Sequence, residues 1–464
     1  MPVSNQKGVE RLHSASLGIL ERIGLRFYCQ EALDLFRRGG ADVSDGTLVR
    51  IPSNLVDWAL DVVPKRLVIY DQTGERAMTL DGSRSYFGVG SDCLHIYDPF
   101  TGERRPAVLD DVVNGVRLVD ALPNLDFVMS MFLPSDVPDD RYERQQIAVM
   151  LEESTKPLVF VGREAKSTRF AVEMAKAVAG GLSALRERPF IINYVNTVSV
   201  FRHNEESVRR LLHAAELNIP TIYGPGNIRG ITAPMTYAGA LALMNAGQMA
   251  GLVLSQLKQE GTPYIQTVPR GWTTDMRTMV GLYCTPDGDI GFDLAHRHGL
   301  PVFGTGGVSD AKVFDAQAAA EAVLTLYTSA SGGADLIHDV GYLDSAMTGS
   351  PALIVLCDEI IGWIKRYLEG PQINEETLAL DLIEDIGCDG HFLETDHTLR
   401  HVRDDWQPAL LDRRDYDAWH ADGATTLQER AISEARRIIG EHRASRLPQE
   451  ISERLTAIVH ANLP

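Results

Sequence analysis

Cysteine is scarce. The 464 residues contain five, Cys29, Cys93, Cys284, Cys357 and Cys388, far apart and with no CxxC pair. That scatter argues against a disulfide framework and offers no zinc pattern, so no metal site is expected. It fits reduced thiols and a cytoplasmic setting. Positive charge is also short: 44 Lys and Arg stand against 63 Asp and Glu, a net charge of −19. Such a chain is a poor match for nucleic acid or an anionic membrane. No apolar run approaches the roughly 18 residues of a membrane span. The N-terminal "MPVSNQKGVERLH" lacks the apolar segment of a signal peptide. Three common catalytic signatures are missing as well: the GxSxG elbow, HExxH and the P-loop.

What is present is an ordinary globular composition, 44% apolar and 23% charged. From Val9 to about Leu80 the reading is helical. "RLHSASLGILERIG" and "EALDLFRRGG" have helical spacing, and "IPSNLVDWALDVVP" has N-cap candidates and a terminal proline. From about Tyr86 the pattern becomes short strand, loop, long helix, repeated eight times. The strands read as "SYFGVG", "LDFVMSMF", "KPLVFVG", "RPFIINYVN", "IPTIYGPG", "TPYIQTV", "LPVFGTGG" and "ADLIHDVG". Strands joined by long crossover helices run parallel. Eight such units predict a (β/α)₈ TIM barrel over residues 86–370, between helical extensions at 1–85 and 371–464. A doubly wound open sheet is the competing architecture. The last segment reads as a helical cap or an oligomer contact, with "LQERAISEARRIIGEHR" its clearest helix.

Barrel active sites lie at the C-terminal ends of the strands. Those ends supply Tyr97 in the loop after the first strand, then Tyr194 and Asn196, Tyr223, Gln266 with Arg270 and Trp272, and finally His338 and Tyr342. The eighth strand ends abruptly in "HDVGYLDS", which puts a histidine, two acids and a tyrosine at the mouth. No strand end carries a lysine, which disfavours Schiff-base chemistry. An aromatic, amide-rich mouth suits a cation without N–H groups, held against ring faces. Gly304, Thr305, Gly306 and Gly307, in "FGTGGVSDAK", admit three readings, one of them plain turn geometry. Glycines after a seventh strand often bind phosphate in this fold, and they also let a large flat group approach the backbone. The acidic turn after the eighth strand suits phosphate poorly.

Longer stretches carry a resemblance. "GSDCLHIYDPFTGERRPAVLDDV", "LPNLDFVMSMFLPSDVP", "GTGGVSDAKVFDAQAAAEA", "LIHDVGYLDSAMTGS" and the C-terminal "CDGHFLETDHTLRHVRDDWQPALLDRRDYDAW" resemble the trimethylamine methyltransferase, MttB-like, family. The resemblance implies a barrel that moves a methyl group from an amine to the cobalt of a corrinoid. That cobalamin would be supplied by a small partner protein; no cofactor is expected on the chain itself. A homo-oligomer is also expected. The family's founding members carry pyrrolysine, whereas this chain is written entirely in the twenty standard residues. Members without pyrrolysine resemble glycine betaine methyltransferases, which implies a quaternary amine as substrate; the alternatives are another TIM-barrel enzyme with a phosphate-binding glycine-rich loop and a non-catalytic betaine-binding protein. In that frame the strand-end aromatics would hold the trimethylammonium, and Arg270 or His338, with Gln266 or Asn196, would meet a carboxylate. Gly304 to Gly307 would receive the corrinoid, and His338 is the candidate catalytic residue.

Overall fold

The computed structural model describes residues 6–197, 199–284 and 289–461. Seven parallel strands form one curled sheet: Tyr86–Phe87, Leu158–Val161, Ile191–Thr197, Thr221–Pro225, Tyr264–Thr267, Val302–Thr305 and Leu336–His338. They pair in chain order, and the last returns to the first through Leu336↔Tyr86 and Ile337↔Phe87. The remaining gap is filled by the "LDFVMSMF" segment. Phe127 bridges Gly88 and Val128 bridges Leu158, both parallel. This second strand is short because Met131 turns into the left-handed region (φ 58°). The eight units close as a (β/α)₈ barrel, as the strand–helix count requires.

The helices between strands follow the expected order, from Leu109–Ala121 to Pro351–Glu369. Tyr237–Lys258, after the fifth strand, is long and apolar enough to cross a membrane by composition. Yet 89% of its most apolar window is buried inside the protein, as befits a helix enclosed on all sides.

The N-terminal segment departs from the all-helical reading. Helices span Gln6–Gly18, Gln30–Arg38 and Ser53–Val62, but strands intervene at Leu25–Phe27, Asp42–Asp45 and Leu48–Arg50, and a hairpin joins Leu67–Tyr70 to Arg76–Leu80. These runs are too short for their period to separate helix from strand. The deciding partner is also remote: Leu25–Phe27 pairs with Arg202–His203, in the loop after the fourth strand. The segment shares a core with the outer side of the fourth to sixth barrel strands, where Leu25, Phe27 and Val56 join Val195, Tyr223 and Tyr264.

At the other end, Leu427–Glu441 is capped by Thr426 and Glu429 and packs on the first and eighth barrel helices. Gln449–His460 packs on the second and third. Between them and the barrel lies a stretch of quite different character, residues 365–409, in which no residue is buried.

Candidate active site

A cavity of about 390 Å³ opens at the C-terminal ends of the strands. Its wall follows from the period-two alternation of strand side chains. In the pairing register Tyr194 faces Ile222, Asn196 faces Gly224, Thr267 faces Phe303 and Thr305 faces His338. Tyr194, Asn196, Gly224, Thr267, Phe303, Thr305 and His338 therefore share the inward row, and all line the cavity. Arg270 and Trp272 join from the loop after the sixth strand, and Asp339 and Tyr342 from the loop after the eighth.

The other expected residues lie elsewhere. Val195, Tyr223 and Gln266 are mutual partners in the register, one position out of phase with the inward row. They face the helices. The Tyr223 hydroxyl meets His203 Nδ1 at 2.5 Å, and Gln266 Nε2 donates to the Ala295 carbonyl at 2.6 Å while its Oε1 lies 2.9 Å from His298 Nδ1. Tyr97 belongs to a small sheet in which His95–Tyr97 pairs with Arg104–Pro106 and with Thr348–Gly349, and it does not line the cavity. Of the four residues in the glycine turn, Gly304 and Thr305 line the cavity; Gly306 and Gly307 do not. A side chain at Gly306 would press on Ile337 and on the Thr325 carbonyl, and Gly307 needs its φ of 73° to pass Val340. Their amides are already engaged: Gly306 donates to the His338 carbonyl at 3.0 Å, and Gly307 to Thr325 Oγ1 at 3.1 Å. A phosphate seated there would have to displace those bonds.

His338 and Asp339 form the polar centre. His338 stacks on Phe303 (3.9 Å between centroids) and meets the edge of Tyr194 (5.7 Å). Its Nδ1 lies 2.7 Å from the Gly304 carbonyl, which can only accept, so Nδ1 carries the proton and Nε2 is the free acceptor. Burial drives the imidazolium form well below the ordinary histidine range. Burial also pushes the Asp339 carboxyl up to about 8, opposed by the adjacent Tyr342 hydroxyl and the Arg270 charge. At neutral pH Asp339 thus holds its proton, and Oδ2, 3.2 Å from His338 Nε2, donates to it. The pair is neutral. Asp339 sits at φ 74°, an unusual backbone conformation that aspartate tolerates better than most residues. Gly90 makes room for the arrangement, since a Cβ there would collide with the Tyr342 hydroxyl and Asp339 Oδ1.

A second aromatic group completes the wall. Trp272 and Tyr283 lie 4.5 Å apart, and Tyr283 meets Tyr342 edge-on at 6.3 Å. The Tyr342 hydroxyl donates to the Ser91 carbonyl. Tyr283 escapes strand-end reasoning because it stands sixteen positions beyond Thr267, in a loop. Asp310 brings it in: its carboxylate accepts from the amides of Tyr283 (3.0 Å) and Cys284 (3.1 Å) and from Ser345 Oγ (3.0 Å), which clasps the loops after the sixth, seventh and eighth strands. Asp92, Met244 and Ala346 also line the cavity and lie outside the expected set. Among the described residues no three His, Cys, Asp or Glu side chains cluster as a metal site would require.

Comparison with known proteins decides the family. The model of the family "Trimethylamine methyltransferase (MTTB)" matches residues 1–462. The chain belongs to the trimethylamine methyltransferase family. It is 33% identical over 457 residues to the trimethylamine methyltransferase MttB of Desulfitobacterium hafniense (strain DSM 10664 / DCB-2), covering 97% of this chain and 91% of that one. It is 30% identical over 458 residues to the glycine betaine methyltransferase of Desulfitobacterium hafniense (strain Y51), covering 97% and 95%. Among solved structures, the monomethylamine methyltransferase MtmB of Methanosarcina barkeri matches with a TM-score of 0.52 at 12% identity, over 95% of this chain and 88% of that one. That likeness bears on the fold, and it agrees with the barrel. The protein is a methyltransferase, and the cavity described above is where the family's barrel presents its strand ends.

Proposed function

We propose that this methyltransferase takes a methyl group from a quaternary amine of the betaine class and delivers it to Co(I) of a corrinoid carried by a separate small protein. The observation that carries the reading is the cavity's make-up: aromatic walls, one guanidinium (Arg270), a His338–Asp339 pair that is neutral, and Asp92, whose carboxyl burial pushes above the usual carboxylate range. Trp272, Tyr283, Tyr342 and Tyr194 offer ring faces to a trimethylammonium. Arg270 offers a carboxylate the charge-assisted bond that a zwitterion needs at its other end.

The chemistry suits such a site. The electron pair of Co(I) forms the new bond to the methyl carbon as the N–CH₃ bond breaks, and that bond's pair stays on nitrogen. Glycine betaine would leave as dimethylglycine, with no proton required in the step. The corrinoid, as acceptor substrate, supplies the nucleophile; the chain supplies alignment and a dry wall. Because positive charge on nitrogen vanishes along the reaction, a carboxylate against the ammonium would stabilise the ground state over the transition state. A protonated Asp339 avoids that penalty. A tertiary amine such as trimethylamine lacks the permanent charge that makes the leaving group good, and this chain contains no pyrrolysine. The loops after the fifth and sixth strands expose Ile231, Met235, Met276 and Met279, an apolar rim suited to a partner that brings a flat macrocycle.

Equilibrium binding tests the charge argument. Glycine betaine and its carbon isostere 3,3-dimethylbutanoate, which lacks the ammonium charge, have the same shape and carboxylate. Betaine is expected to bind at least about fivefold more tightly, the order of one desolvated cation–ring contact. Equal affinity would overturn the cation reading.

A further inference from the structure

Trp272 and Tyr283 are the two feet of one hairpin. Thr273–Asp275 pairs with Val280–Leu282, with Thr273 opposite Leu282, so the chain enters through Trp272 and leaves through Tyr283. That brings their rings within 4.5 Å of each other. The Trp272 foot is tied to the loop after the fifth strand. Its amide donates to the Asn227 carbonyl at 3.2 Å, and its carbonyl accepts from the Arg229 amide at 2.9 Å. The Tyr283 foot is tied instead to Asp310, after the seventh strand, whose carboxylate accepts from the amides of Tyr283 and Cys284. The two rings of one wall thus hang from different barrel loops.

The same carboxylate reaches a strained turn. Asp344, Ser345 and Ala346 follow one another at φ of 53°, 55° and 68°, a left-handed run without a glycine. Such a run persists only where its surroundings impose it. Here Ser345 Oγ donates to Asp310 Oδ1 at 3.0 Å, the Asp344 amide donates to the Ala311 carbonyl at 2.9 Å, and Lys312 Nζ lies 3.0 Å from Asp344 Oδ1. Ala346 lines the cavity, and Asp310 does not. Asp310 is fixed from behind: its amide and Ser309 Oγ donate to Glu321 Oε2, on the helix Ala316–Ser331, at 2.8 and 2.6 Å. Its grip falls on cavity-lining residues or their immediate neighbours, while the carboxylate stays outside the cavity.

Taking the quaternary amine of the proposed function as the ligand, we propose that Asp310 is a positioning residue that sets the width of the aromatic cage, and through it the preference for a permanent cation. It holds Tyr283 against Trp272 on one side and the Ala346 turn on the other, without touching the substrate. A ring attracts a cation only within about 6 Å of its centroid. A Tyr283 foot released from Asp310 therefore takes that ring out of the cage. A carboxylate suits the task because both of its oxygens face donors: Oδ1 receives Tyr283 and Ser345, and Oδ2 receives Cys284. An asparagine keeps an acceptor toward the two amides and can donate to the serine hydroxyl, so it preserves most of the grip.

The test is equilibrium binding of glycine betaine and of 3,3-dimethylbutanoate to the full-length protein and its variants. Asp310→Ala should cut the preference for betaine from about fivefold to less than about twofold. Affinity for dimethylbutanoate should stay within about twofold, since the carboxylate end of the site is untouched. Asp310→Asn should restore most of the preference. Tyr283→Ala should match Asp310→Ala, and the double variant should be no worse than either, because both changes remove the same ring. Additive losses, or an equal loss for both ligands, would make Asp310 a loop staple and overturn the proposal. Amide exchange separates the latch from the choice of ligand. Without ligand, the amides of Tyr283 and Cys284 should exchange at least about tenfold faster in Asp310→Ala and stay protected in Tyr283→Ala. Unchanged exchange in Asp310→Ala overturns the proposal whatever binds. If the unmodified protein binds both ligands alike, the betaine reading fails; the latch is then upheld by accelerated exchange and overturned by unchanged exchange.

Discussion

Tyr194 and Tyr223 stand on neighbouring barrel strands and have opposite surroundings. Tyr194 lines the cavity with its ring against His338 and Phe303. Tyr223 is fully buried on the other side of the wall, bonded to His203 in the core shared with the N-terminal segment. One step of register separates them, since Tyr223 pairs with Val195 and not with Tyr194. In a barrel wall a single position exchanges chemistry for packing. Standing near a strand end is therefore half of the requirement for a site residue; lying in the inward phase is the other half.

Substitutions can break that contrast, and the largest effect is expected at the inward row. His338→Ala should lower methyl transfer at least about tenfold, equivalent to about 1.4 kcal/mol in the transition state. Unchanged turnover with a lowered Tm would make His338 a packing residue like Tyr223. Trp272→Ala should raise KM about fivefold and leave kcat nearly unchanged, because a ring face that holds the ammonium contributes chiefly to ground-state binding. A fall in kcat with KM constant would move Trp272 from binding to chemistry.

Asp339 sharpens the comparison through pH. Its carboxyl is raised to about 8 by burial, so the protonated form should be the active one and activity should decline as pH rises past that value. Asp339→Asn keeps a donor toward His338 Nε2 and should stay within about threefold of the unmodified rate at pH 7, with the alkaline decline removed. The stability sign follows from linkage. A carboxyl held protonated in the fold contributes stability that is fully present below the ordinary aspartate pKa and is lost as pH rises through about 8. Thermal melts across pH 4 to 9 should therefore show Asp339→Asn gaining on the unmodified protein toward alkaline pH. Parallel melting curves would mean that Asp339 is ionised at neutral pH. The smallest effect on activity belongs to the outward row. Tyr223→Phe should leave turnover within about twofold while costing about 1 kcal/mol of stability through the lost His203 bond. A large loss of activity there would erase the distinction between the two faces.

The barrel was legible in the sequence because long apolar-faced helices alternating with short strands leave few other folds. The eighth strand's "HDVGYLDS" was legible too, since polar residues crowd where an apolar strand stops. Phase was harder to read. Tyr223 and Gln266 look like Tyr194 until the pairing register is known, and parallel register is set by contacts between segments far apart in sequence. The glycines after the seventh strand suit a phosphate, the approach of a flat group or a plain turn equally well in sequence. Gly306 and Gly307 instead serve close packing against Ile337 and Val340, which no local pattern announces. Tyr283 carries no strand-end signal, and Asp310 recruits it through backbone amides. Of the short N-terminal strands, Leu25–Phe27 depends on a partner about 175 residues away, Arg202–His203; Asp42–Asp45 with Leu48–Arg50 and Leu67–Tyr70 with Arg76–Leu80 pair locally but are too short for their period to announce a strand.

The most direct measurement is methyl transfer itself. The full-length protein, mixed with a corrinoid protein reduced to Co(I), is given glycine betaine or trimethylamine in turn, and the absorbance change to the methylated Co(III) form is followed. Betaine is expected to drive the change and yield dimethylglycine, while trimethylamine under the same conditions leaves the Co(I) spectrum unaltered. Methylation from trimethylamine with none from any betaine would contradict the betaine reading, and with it the case for a cavity built around a permanent cation.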